Sequence, residues 1–178
     1  MIAYSCLASI YAYLGSWDKA LKAVEKELRL DPFSVQTWEN AGTHYLYSGH
    51  YDEAVKYLKD VLEQDPNNSF SLSNLGLAHI QKGSVEEGLK EVKRASELSG
   101  RLEADLAYAY VKADETDKAR DLLKELLTPR ENRHLPATAV AGIYSVLGEK
   151  DKALDWLERA YEEQSGYLLA INGRVHFR

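Results

Sequence analysis

Apolar and small residues along this chain fall at helical spacing over short stretches, and the stretches recur. Trp38, Ala41, Gly42 and Tyr45 stand at i, i+3, i+4 and i+7, which is one stripe of a helix. Ser48-Gly49-His50 interrupts the stripe, because glycine readily takes the left-handed conformation that ends a helix. A second stripe follows in Tyr51, Ala54, Tyr57, Leu58 and Val61. Asp65-Pro66 stops it, since proline restricts the residue before it and cannot continue the helix. Ser84 and Glu87 have the spacing of a capping box at the start of the corresponding helix one unit later.

The two-stripe pattern repeats. Units begin at Met1, Val35, Ser69, Gly100 and His134, at intervals of 34, 34, 31 and 34 residues. Such a period marks an array of supersecondary units, none of which buries its apolar face alone. The short interval predicts that the turn around Leu98-Ser99-Gly100 has lost residues. The eighth position reads Ala8, Gly42, Gly76, Ala107, Ala141, and the twentieth reads Ala20, Ala54, Gly88, Ala119, Ala153. Small residues at both positions let two antiparallel helices approach closely. The eleventh position is bulky (Tyr11, Tyr45, His79, Tyr110, Tyr144), and the fifteenth is the turn between helices (Gly15, Gly49, Gly83, Asp114, Gly148).

These positions resemble the tetratricopeptide repeat, a helix–turn–helix unit with a bulky residue, Leu-Gly, Tyr, Ala and Pro at set places. The second unit is nearly complete, with Trp38, Gly42, Tyr45, Gly49, Tyr51, Ala54 and Pro66; the first has Tyr4 for the leading Trp. The third departs at His79, Gly88 and Gly100, the fourth at Asp114, and the fifth ends in Ser165 rather than Pro. The resemblance covers about residues 1–165 and leaves 166–178 as a C-terminal tail. It implies an all-α fold, a right-handed superhelical solenoid of antiparallel helix pairs, with the first helix of each unit lining a concave face. The stretch 148–161, with Ser165-Gly166-Tyr167-Leu168, is also similar to the last repeats of some multidomain prokaryotic signalling proteins. The chain starts inside a repeat helix, and the apolar run Tyr167–Ile171 follows the fifth unit, so we expect either a fragment of a longer protein or ends that associate.

Composition narrows the function. A net charge of −6 argues against a nucleic-acid partner, which calls for a basic footprint, and leaves neutral or basic protein and peptide partners. No stretch is long and apolar enough for a membrane span, and the N-terminus lacks a signal-peptide pattern, so a cytoplasmic setting is expected. A single cysteine, Cys6, precludes an intramolecular disulfide framework and reads as a partly buried, inert thiol. The five histidines are too scattered for a ligand pattern, and His79 occupies a packed Tyr slot. The clusters Glu25-Lys26-Glu27 and Glu162-Glu163 read as solvated faces. Asn67-Asn68-Ser69 matches a glycosylation acceptor, a triplet that often arises by chance. No nucleophile, phosphate-loop, dinucleotide or zinc-protease motif is present, so neither an enzyme nor a cofactor nor a metal is expected.

The expected activity is binding. Asn40 and Asn74 share the sixth position of successive units, and stacked asparagines resemble the ladder by which some tetratricopeptide proteins hold extended peptides. Tyr13, Tyr47, Phe70 and Tyr108 supply candidate aromatic anchors on the same face. Beside them lie Glu39, Thr43, Ser73, Arg101, Asp105 and Lys112, a groove of mixed charge. Glu39 and Asp105 would repel a C-terminal carboxylate, which disfavours the clamp found in some relatives. The reading is a non-enzymatic scaffold that takes a peptide in its concave groove. The alternatives are a self-assembling element that stacks through its ends, or a regulatory segment of a larger signalling protein.

Overall fold

The computed structural model describes residues 2–100, 102–128 and 137–163; Arg101, the fifth unit's start at His134, Ser165 and the run Tyr167–Ile171 lie outside them. The described residues form helices only: α1 (Ile2–Tyr13), α2 (Trp17–Leu30), α3 (Val35–Tyr47), α4 (Tyr51–Gln64), α5 (Ser69–Gln81), α6 (Val85–Ser99), α7 (Glu103–Lys112), α8 (Thr116–Leu127), α9 (Ala137–Val146) and α10 (Lys150–Glu162). Each odd-numbered helix packs on the even-numbered helix after it and on the next odd-numbered helix. The result is a solenoid of helix pairs with a row of first helices along one side.

Local chemistry sets the helix ends. The Ser34 side chain accepts from the Thr37 N–H, and Asn68 Oδ1 accepts from the Ser71 N–H at 2.9 Å, which caps α3 and α5. The Ser84–Glu87 capping box does not form. The Ser84 side chain makes no capping bond, and the Glu87 carboxylate turns toward His79 instead. Within the pairs, the turn residue takes positive φ each time: Gly15, Gly49, Gly83 and Gly148, with Asp114 at 58° in the fourth unit. A short polar side chain tolerates the left-handed region better than most, at a cost glycine does not carry.

The core follows the small-residue positions. Ala8, Ala20, Ala54, Ala107 and Ala119 are fully buried. In the third unit both positions are glycine, and the helices come closest there. A Cβ added at Gly76 would sit 2.6 Å from the Gly88 carbonyl oxygen, and one added at Gly88 would strike the Gly76 carbonyl and lie 2.6 Å from Ile80 Cγ1. Every residue of α5 from Ser71 to Ile80 is consequently buried.

The short interval is resolved at α7. α6 runs on through Ser99, Gly100 caps it in the left-handed region, and Leu102 precedes α7 at φ 77°. α3 and α5 are 13 residues long but α7 has only 10, so the chain makes its turn from what would be the first turn of the next helix.

Gly88→Ala and Asp114→Gly should move stability in opposite directions. Alanine gains about 0.5–1 kcal/mol of helix propensity over glycine, but overpacking here costs about 1–3 kcal/mol and prevails. Asp114→Gly relieves about 1 kcal/mol of left-handed strain. Urea unfolding of the two variants checks both signs.

Candidate functional site

The first helices are joined by side-chain bonds that step from one unit to the next. Glu39 Oε2 accepts from Asn68 Nδ2 at 2.9 Å and from Ser71 Oγ at 3.4 Å. Asn74 Nδ2 donates to Thr43 Oγ1 at 3.1 Å, and Thr43 Oγ1 donates to the Glu39 carbonyl. Ser73 Oγ donates to Asp105 Oδ2 at 2.9 Å, and Gln81 Nε2 donates to Tyr108 Oη at 2.8 Å. Six of the expected groove residues thus take part in three bonded groups that follow one another across α3, α5 and α7: Glu39, Thr43 and Asn74 in the first, Asp105 in the second, and Tyr108 with the Lys112 ammonium over its ring in the third.

Their exposure differs from the sequence expectation. Asn74 is 2 % exposed and Tyr108 4 %, so neither lies open on the surface. The cause is the close packing around α5, which brings neighbouring first helices onto both side chains. Burial and the nearby Tyr51 push the Tyr108 phenol up to about 12. Tyr47 is half-buried against the cluster around Leu46 and Leu58. Tyr13 and Phe70 remain exposed, at 44 % and 37 %. Cys6, expected to be partly buried, is exposed.

Asn40 is engaged differently. Its amide donates to Glu27 Oε2 on α2, and its carbonyl sits 2.8 Å from His44 Nδ1. Glu27, expected on a solvated face, is buried. Its place in the stripe Ala20, Ala23, Val24, Glu27 is the signal that could have shown this, since those four are the buried residues of α2. Burial pushes the Glu27 carboxyl up, opposed by the bond from Asn40. Burial also pushes the His44 imidazole down. Both amides of the expected asparagine ladder therefore hold neighbouring helices together.

A second group lies away from this face and was missed. His79 Nδ1 is 2.7 Å from Glu91 Oε2 and 3.9 Å from Glu87 Oε1, beside a groove of about 480 Å³ between α4 and α6. Position 79 was visible as an exception in its column; that its ring meets α6 required the register of α5 on α6.

This architecture is a helical-repeat solenoid whose first helices form a polar-linked face. Two family models described as "Tetratricopeptide repeat" match residues 1–67 and 39–101, and the chain belongs to that family. It is similar in structure to a thermophilic tetratricopeptide repeat protein of Thermus thermophilus, at 22 % identity over 96 % of this chain and 95 % of that one, with a TM-score of 0.69. It is also similar to MamA, at 22 % identity over 89 % and 94 % of the two chains (TM-score 0.56). A tetratricopeptide repeat protein from Parabacteroides merdae aligns at 19 % identity over 95 % of this chain and 68 % of its own (TM-score 0.55). Among curated proteins, none matches the sequence. Among the described residues no helix is long and apolar enough to cross a membrane.

Glu27 gives a pH test. An acid whose folded pKa is raised leaves the fold holding more protons than the unfolded chain as pH climbs from 4.5 into the raised value. Stability is withdrawn over that window, and the full penalty stands at neutral pH. Glu27→Gln keeps an acceptor for Asn40 and removes the charge. Thermal unfolding should show a higher midpoint than the unaltered chain at pH 7 and a shrinking difference toward about pH 4.

Proposed function

We propose that the chain is a non-enzymatic interaction scaffold that holds a peptide segment along the first-helix face. The family supports a protein-interaction role in general, and the observation that carries the finer reading is the row of bonded polar groups. It fixes Glu39 and Asp105 in place before any partner arrives, and a preorganised surface loses less side-chain entropy on binding. Exposed Phe70 begins α5 within reach of this row, and Tyr13 ends α1 on the same side by helical spacing. The face suits a segment that offers an apolar group to these rings and a basic group to the carboxylates. Asn40 and Asn74 act beneath it, as struts that hold the helices in register.

A selection of random peptides on the immobilised chain tests the reading, run beside a Glu39→Gln/Phe70→Ala variant of verified fold. Basic and apolar peptides should be enriched on the unaltered chain and reduced at least about tenfold on the variant, a loss of about 1.4 kcal/mol. Equal enrichment on both would overturn the groove.

A second reading rests on a specific feature of α1. Leu7, Ile10 and Leu14 form an exposed apolar stripe. The counterparts of Leu7 and Ile10 in the second and third units, Ala41 and His44, Leu75 and Ala78, are buried against the preceding pair. This face would take another helix pair, which is the stacking alternative. Light scattering should then show association that rises with concentration and disappears in Ile10→Lys; a concentration-independent monomer excludes stacking.

A further inference from the structure

Comparison of the units with one another isolates the third. The eleventh and twenty-third positions form aromatic or apolar pairs elsewhere: Tyr11 with Ala23, Tyr45 with Tyr57, Tyr110 with Leu122, Tyr144 with Trp156. Tyr45 and Tyr57 stack at 5.7 Å between ring centroids. In the third unit the pair is His79 and Glu91. The nineteenth position also varies among the units. Lys19, Lys118 and Lys152 place an ammonium 5.6, 5.7 and 5.4 Å from the centroids of Tyr11, Tyr110 and Tyr144. The second and third units have Glu53 and Glu87 there, and only in the third is the eleventh position a histidine. Where three units carry their own cation over the ring, this one presents two carboxylates to an imidazole nitrogen.

We infer that His79, Glu87 and Glu91 form a binding site for a divalent cation of the zinc type. One imidazole nitrogen and two carboxylate oxygens lie within 4.8 Å of one another. Around zinc, with bonds of about 2.0–2.2 Å, tetrahedral ligands stand about 3.3 Å apart. The present separations of 2.7 and 3.9 Å from Nδ1 bracket that value. Glu87 and Glu91 are one helical turn apart on α6, so both carboxylates reach the same side of the helix. His79 is anchored in the core, while the Glu87 side chain is 60 % exposed and free to swing inward. The groove beside them opens to solvent and leaves room for water as a fourth ligand.

The groove's charges are balanced: Lys59, Lys90 and Arg94 against Glu63, Glu87 and Glu91. Arg94 is tied to the Pro66 carbonyl and Asn67 Oδ1. Selection of a cation therefore comes from direct ligation and not from a general negative field. Imidazole with carboxylate favours a transition cation over magnesium or calcium, which prefer all-oxygen sites. Binding puts the metal in place of the proton between His79 Nδ1 and Glu91 Oε2, and the neutral imidazole then carries its proton on Nε2.

The test is calorimetric titration of the full, untagged chain with zinc chloride at neutral pH. His79→Tyr restores the residue that the other units carry, so it should fold; Glu87→Gln changes an exposed side chain and guards against failure of the first. Circular dichroism verifies both. One site is expected on the unaltered chain, with affinity at least tenfold weaker in each variant and little response to magnesium. No heat with zinc, or zinc binding unchanged in His79→Tyr and Glu87→Gln, would overturn the site.

Discussion

Two helices joined by a short turn share a core only if their backbones come close, and here one pair of positions in each unit sets that distance. Where the eighth and twentieth residues are alanine or glycine, the helices meet and the larger side chains are driven outward to the next pair. The turn conformation, the buried stripes and the spacing of successive first helices all depend on this contact. It is tightest where Gly76 meets Gly88. The exposed ion pairs between units, such as Arg120 with Glu149 at 2.7 Å, decorate this frame and contribute little, since surface pairs are worth about 0–1 kcal/mol.

The helix pairs were legible because each is encoded locally, by a stripe, a turn residue and a stop. The site was less legible for a physical reason. Periodicity tells which side of a helix a residue occupies, but not how far the neighbouring helix covers it. Asn74 and Tyr108 lie on the expected helices and are nevertheless enclosed: Asn74 bonds to Thr43 of α3, and Tyr108 packs in the cluster that contains Leu75, Leu77 and Ile80 of α5. Asn40 shares its unit position with Asn74 but meets the α2 carboxylate Glu27. A repeat position therefore fixes geometry without fixing partners. Ser84 illustrates the same limit on a smaller scale: its capping partner by spacing, Glu87, is drawn away by a histidine eight residues upstream of it.

The two faces of the array divide the chemistry. Along the first helices, neutral donors such as Asn68, Ser71 and Ser73 hold carboxylates at defined points. Between α4 and α6, ionisable groups replace an aromatic pair and open onto a groove. On the readings proposed above, one fold carries a long surface for an extended ligand and a compact cluster for a small one, and neither requires departure from the repeat backbone.

The burial of α5 from Ser71 to Ile80 also bears on how the chain acquires its structure. In a one-dimensional array each unit is stabilised by itself and by its two neighbours, so formation can begin anywhere and spreads through the interfaces. The α5–α6 hairpin has the closest backbone contact and a neighbour on either side. In an array of this kind a pair with close contact and two neighbours has the most interfaces in its favour when formation begins. The α1–α2 and α9–α10 pairs each have a single described neighbour and so fewer interfaces to hold them. The array is a graded ladder of local opening energies, with its most persistent rung at the centre.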